Sequence, residues 1–295
     1  MTIGLARHDL DGELRDGLAE YLRCDLADRG QAEAAIASTQ PDLVFHLAAE
    51  ASVAASWKDP NGTIERNLAT TLNLLEAVQR EAPGARVLVA GSGEEYGVQD
   101  DLPMTEEHTL RPQSPYAVSK AASGLAAGFF HDAHRLDVVR VRAFNHAGPG
   151  QSDVYVVSGL ARQIAEAEAG SAKTLEIRTG NVEVRRDFTD VRDVARAYWM
   201  ALEGAPPDVY NVCSGRSISI SEILGSFAAL AAVDLVPVTD PSLLREHEVM
   251  EIRGSSEKLR RATGWEPRIP LERTLVDTLD WWRSRVAGTQ APAAA

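Results

Sequence analysis

The chain is poor in cysteine, in basic runs and in long apolar stretches, and each shortage narrows what it can be. Only Cys24 and Cys213 occur in 295 residues. That is too few for a disulfide framework, so a reducing cytoplasm is the expected compartment. Lysine and arginine together number 30 against 43 aspartates and glutamates, a formal net charge of −13. Without a Lys/Arg run, neither nucleic acid nor an anionic membrane is an expected partner, because both are held mainly through basic patches. An anionic substrate would need individually placed arginines. No apolar run approaches the ~20 residues that span a bilayer, and the N-terminus lacks a charged-then-apolar leader pattern. The closing stretch 287–295 is small and low in complexity, and is expected to be disordered.

What is present is an alternation of short apolar runs with amphipathic stretches, the pattern of a parallel sheet covered by helices on both faces. Strands are expected over 2–6, 21–24, 43–47, 86–90 and 138–142, and helices over 31–38, 64–80 and 116–134. After Gly148-Pro149-Gly150 the rhythm loosens, with helices expected over 191–202, 221–231 and 271–286. The fold class is therefore α/β, a Rossmann-like doubly wound parallel sheet over 1–150 with a smaller C-terminal α/β lobe over 151–286. In such a fold ligands bind at the carboxyl ends of the strands.

One motif carries chemistry. Tyr116 and Lys120 are four residues apart on an expected helix, so both project from one face, and an ammonium there would favour the phenolate. Upstream, Gly91-Ser92-Gly93-Glu94-Glu95-Tyr96-Gly97 places a hydroxyl at a strand end. It could hold a substrate oxygen against the tyrosine while a proton is transferred. Ser92 could equally be a helix cap, and Glu94 a solvated turn carboxylate or a base. His131 and His134 flank Asp132 on the same expected helix but lack a third convergent ligand, so no metal is expected. Trp281 and Trp282 read as packing.

Taken in order, His46-Leu-Ala-Ala49, Asn67, Ser92, Tyr116/Lys120, Arg142-Ala-Phe-Asn145 and Arg186-Asp-Phe-Thr-Asp-Val191 resemble the extended short-chain dehydrogenase/reductase family. The stretches 144–151 and 185–193 are most similar to its GDP-4-keto-6-deoxy-D-mannose reductases, which form GDP-D-rhamnose. GDP-mannose 4,6-dehydratases are the near relatives. The resemblance implies Ser92, Tyr116 and Lys120 as catalytic residues, with Glu94 as the base a dehydratase would need. It implies a nicotinamide cofactor contacted by Asp25, Leu26, Ala48, Ala49, Asn67, Tyr116, Lys120 and His146. It also implies a nucleotide-diphosphate sugar contacted by Ser52, Ser92, Asn145, Arg186 and Arg245, and a homodimer paired through the helix over 116–134. Arg7 at the tip of the strand over 2–6 suits a 2′-phosphate, so NADP is expected, with NAD the alternative.

The chain departs from that resemblance in one place. The family opens with a strand and a glycine-rich turn that meets the pyrophosphate at a helix N-terminus. Here the strand over 2–6 aligns with the family's second strand. The first βα unit, on the order of 30 residues, is expected to be missing, leaving two exposed sheet edges. That departure keeps open a non-catalytic sugar-nucleotide binding protein as the reading of another class.

Overall fold

A computed structural model describes residues 1–9, 15, 17–244 and 249–290. Four parallel strands form the main sheet in the order β3 (Leu43–His46), β4 (Arg86–Ser92), β5 (Asp137–Ala143), β9 (Val209–Val212). Alternation along β4 explains its two-sided burial. Val87 and Val89 point into a core shared with α1 (Arg29–Thr39), α3 (Pro60–Glu81) and α4 (Pro115–His134). Leu88 points the other way, into a core with α6 (Val191–Gly204) and α8 (Glu257–Thr263).

β1 (Ile3–Ala6) and β2 (Glu20–Arg23) form a separate parallel pair. Leu5 of β1 and Val44 of β3 rest on the same helical layer, yet among the described residues no strand bridges β1 and β3. The division falls where a doubly wound order would place a central strand. Along β3 this leaves Leu43 and Phe45 more than a third exposed, with Phe45 stacked on the half-exposed Trp199 at 6.1 Å.

The second lobe is built around β8 (Arg185–Asp190), which pairs with β6 (Asn145–Ala147), β10 (Ser217–Ser219) and β12 (Glu251–Ile252). Beside it β7 (Thr174–Thr179) pairs with β11 (Asp234–Thr239). The lobe's apolar core comes from α5 (Val156–Ala169), α7 (Ile220–Ala228) and α9 (Leu271–Gln290). The short helix α2 (Val53–Ser56) follows β3. Although 151–286 reads as one lobe in sequence, α6 and β9 cross back to cover and extend the main sheet.

Three sequence expectations need correction. α5 was not anticipated; its start at Val156 has no side-chain cap to mark it. α7 stops at Ala228 rather than 231. The tail expected to be disordered from 287 continues as α9 to Gln290, and 291–295 lie outside the described residues. Trp282 packs in the lobe, its indole donating to Ser158 Oγ at 2.8 Å.

Asp187 ties the two sheets. Fully buried on β8, it accepts from Ser214 N (2.8 Å), Ser214 Oγ (2.5 Å), Gly215 N (2.9 Å) and Gly254 N (3.2 Å), in the loops after β9 and β12. Burial pushes its carboxyl upward while these donors pull it back. Asp187→Ala leaves several buried donors without an acceptor and should cost about 3 kcal/mol or more. Urea denaturation followed by far-UV circular dichroism measures this, and a loss well under 1 kcal/mol would show that water replaces the carboxylate.

Candidate active site

The site forms where β4 ends. Ser92 is the last residue of the strand and caps the 3₁₀ turn Gly93–Tyr96, its hydroxyl accepting from Glu94 N at 3.2 Å. α4 arrives beside it. Ser114 caps that helix by accepting from Ala117 N at 3.1 Å, Pro115 occupies the first turn, and Arg135 closes the helix in the left-handed region at φ 59°. This start sets Tyr116 in the first turn and Lys120 one turn later.

Ser92 faces the phenol of Tyr116 and pulls its pKa down, but burial outweighs this and raises it above that of a free tyrosine. Tyr155, Glu94 and Glu95 add to the rise. Lys120 is buried; its Nζ donates to Ala90 O at 2.8 Å, and burial pulls its pKa down to about 8 against the opposing pull of Glu95. The expectation of a phenol acidified by its helical neighbour is therefore corrected. Burial dominates, the ammonium is engaged by a carbonyl, and Tyr116 holds its proton at neutral pH. The group suits proton donation rather than abstraction.

The remaining expected residues fall into two sets. Glu94 is half-buried beside Ser92, and His146 lies on β6 with its Nδ1 donating to Phe144 O at 3.2 Å, which leaves Nε2 as an acceptor. Crowding by protein atoms lowers its pKa. Asn145 precedes it on the same strand, paired with Phe188 of β8. Ser52 caps α2, accepting from Ala55 N at 3.1 Å. Arg186 is buried on β8 and donates through Nη1 to the carbonyls of Arg185 (2.9 Å) and Val249 (2.8 Å). Arg245 lies outside the described residues.

At the end of the neighbouring strand, Ala48 and Ala49 follow β3. Asn67 is buried with its amide committed, accepting from Glu50 N (2.8 Å) and donating to Glu50 O (3.2 Å) and Ser119 Oγ (2.9 Å). It braces the loop after β3 against α4. Asp25 accepts from Ala27 N at 3.0 Å, while the Leu26 side chain turns into the core. Arg7 is exposed at the tip of β1, with Nε donating to His8 Nε2 at 3.1 Å. His46 is buried, hydrogen-bonded to Thr71 Oγ1 at 3.0 Å, and held to about 3 by burial and by Lys120; its Nδ1 lacks a partner.

These donors fit one end of a nicotinamide dinucleotide. Tyr116 and Lys120 offer a hydroxyl and an ammonium suited to ribose hydroxyls, and His46 Nδ1 is an unsatisfied buried atom at the end of β3. Among the described residues no glycine-rich turn joins a strand to a helix between β1 and β3. Sequence reasoning passed over Glu95, Tyr96 and Asn211, buried polar residues behind Ser92. Two adjacent glutamates after a strand read as surface turn polarity, and only the fold turns the second one inward.

Comparison with known proteins places this geometry. The family model described as GDP-mannose 4,6 dehydratase matches residues 7–278. A GDP-6-deoxy-D-mannose reductase of Pseudomonas aeruginosa is 40% identical over 83% of this chain and 82% of its own length. A GDP-mannose 4,6-dehydratase of Yersinia enterocolitica is 26% identical over 84% and 74%. Among solved structures, RMD from Pseudomonas aeruginosa complexed with NADPH superposes with a TM-score of 0.85 at 34% identity, covering 97% of this chain and 100% of that one. The UDP-glucose 4-epimerase of Thermotoga maritima with UDP-glucose gives 0.88 at 26% identity, covering 96% and 91%.

The burial of Lys120 has a thermodynamic signature. Its folded pKa lies below its unfolded one, so the unfolded chain binds the extra proton and stability rises as pH climbs from about 8 toward 10.5. At pH 7 a Lys120→Met variant should be up to about 3 kcal/mol more stable than wild type, and that advantage should shrink by pH 10. Urea melts at both pH values measure it; a variant that is less stable at pH 7 would contradict the assignment.

Proposed function

The chain belongs to the GDP-mannose 4,6 dehydratase family, and from that membership we propose that it is an NADP-dependent reductase of the 4-keto group of a GDP-4-keto-6-deoxy-hexose, giving a GDP-D-rhamnose-type product. One observation carries the reading: Tyr116, whose phenol faces Ser92 and is pushed up by burial, stands at the carboxyl end of β4, one turn before the buried Lys120 that donates to Ala90 O. The chain that presents it is 40% identical to a GDP-6-deoxy-D-mannose reductase and superposes on a structure complexed with NADPH.

In this reading the Ser92 hydroxyl holds the keto oxygen against the phenol, and Tyr116 gives that oxygen its proton as negative charge develops. Lys120 orients the ribose. Bound NADPH supplies the hydride. Arg7 suits the 2′-phosphate, His146 lies on the nicotinamide side, and Asn145, Arg186, Arg245 and Ser52 serve the sugar nucleotide. An arginine's planar fork pairs two phosphate oxygens, which reconciles an acidic protein with a doubly charged substrate. The proposal includes a cytoplasmic homodimer. It is supported by Val118, Leu125 and Phe129, which are exposed at helical spacing on one face of α4 (38%, 66% and 58%). Among the described residues no helix is long and apolar enough to cross a membrane.

A second reading is dehydration of GDP-mannose with internal return of the hydride. Glu94 favours it, since this carboxylate lies close enough to Tyr116 to act on its ionisation. The two separate cleanly. Oxidation of NADPH by GDP-4-keto-6-deoxy-mannose, with Tyr116→Phe lowering kcat by about 10²- to 10⁴-fold, is the outcome expected of the reductase. Release of the keto sugar from GDP-mannose without added reductant, abolished by Glu94→Gln, would replace it with the dehydratase. Calorimetric binding of the sugar nucleotide with no turnover in either assay would leave a binding protein.

A further inference from the structure

Directly behind Ser92 lies a buried ion pair to which nothing above assigns a role. Glu95 Oε1 accepts from Ser92 N at 2.7 Å, and Oε2 accepts from Arg142 Nε at 2.9 Å, with the two side chains 2% and 12% exposed. The carboxylate occupies a socket shaped for it. A Cβ at Gly91 would collide with Oε1 and come within 2.9 Å of Val141 O, while a Cβ at Gly124 of α4 would lie 3.8 Å from Oε2. Arg142 is held in turn: Nη1 donates to Tyr96 OH at 2.9 Å, and the guanidinium stacks 4.9 Å over that ring. Tyr96 OH donates to Asn211 Oδ1 at 2.7 Å, and Asn211 on β9 is anchored to Met104 O and Glu106.

We propose that Glu95 is a positioning residue for the Ser92–Tyr116–Lys120 group, fixing the serine through its amide and setting its carboxyl against the face of α4 that carries Gly124 and, one turn earlier, Lys120. The inference rests on the proton-transfer reading above. An apolar side chain in this place would pack as well or better, since a buried ion pair seldom adds stability over hydrophobic replacements. What the pair provides is a fixed charge. The charged and titratable groups around Glu95 are Arg140 and Arg142 on β5, Lys120 and Tyr116 on α4, and Glu94 and Tyr96 on its own turn, with Glu106 acting through Arg142 and Tyr96. Burial raises the Glu95 carboxyl above the usual carboxylate range; Arg142, the Ser92 amide and Lys120 oppose the rise, and the guanidinium on Oε2 with the amide on Oε1 favours the charged form. It raises both Lys120 and Tyr116.

The test reads Lys120 directly. Its ε-carbon resonance, assigned by loss in Lys120→Met, is followed with pH by ¹³C NMR in wild type and in Glu95→Gln, which keeps the acceptor for Ser92 N and removes the charge. The Lys120 midpoint should fall by about half a unit or more in Glu95→Gln, and kcat for keto-sugar reduction should drop about tenfold or more with KM little changed. An unmoved midpoint in the folded variant would reduce Glu95 to a cap of its turn and overturn the proposal. Should Glu95→Gln not fold, the double variant Glu95→Val, Arg142→Met replaces the pair with apolar groups and is read the same way. A wild type without reductase activity counts against the function proposed above, and the lysine titration still decides the role of Glu95.

Discussion

A lysine ammonium held against the carbonyl of Ala90 is the constraint on which the candidate site depends. To reach that carbonyl, α4 must lie close against β4, and the small buried residues Ala117 and Ala121 allow the approach. Ser92 is two residues beyond Ala90 on the same strand, and Tyr116 is one turn before Lys120 on the same helix. Fixing one contact between the elements therefore fixes the hydroxyl–phenol pair. Desolvation accompanies this closeness: the lysine loses part of its basicity and the phenol becomes harder to ionise. Both shifts come from the packing that aligns the groups, so alignment and electrostatics cannot be varied independently.

The second lobe meets this centre through β6 and β8. Asn145 and His146 leave β5 directly for β6, which pairs with β8 and so brings Arg186 onto the same sheet. Asp187, next along β8, points into the protein and gathers the loops after β9 and β12. Asp187 and Asp190 are structural acceptors, the latter capping α6 and accepting from Thr274, while Arg186 is held by carbonyls of its own lobe.

Much of this was legible in the chain. The spacing of Tyr116 and Lys120, the serine at a strand end and the apolar strands of the first half correspond to local periodicities that the fold retains. The strand over 86–90 runs on to Ser92, and the helix over 116–134 gains one residue at its capped start. What was not legible depends on distant partners. β9 is four residues long and becomes a sheet strand only because β5 offers it an edge. Glu95 gives no local signal of burial, since its partner Arg142 is 47 positions away. The direction of the Tyr116 shift was also misread, because sequence spacing reveals a neighbouring charge but not how much water has been removed.

The divided sheet bears on how this protein behaves in company. Among the described residues β3 pairs only with β4, and its outer backbone donors and acceptors keep the regular spacing that another extended segment can join. The flanking Leu43, Phe45 and Trp199 supply an apolar surface to such a segment once docked. Self-recognition there would be strand-to-strand and would deepen with concentration. The formal charge of −13 opposes that coalescence, and it weakens as added salt shortens the range of repulsion.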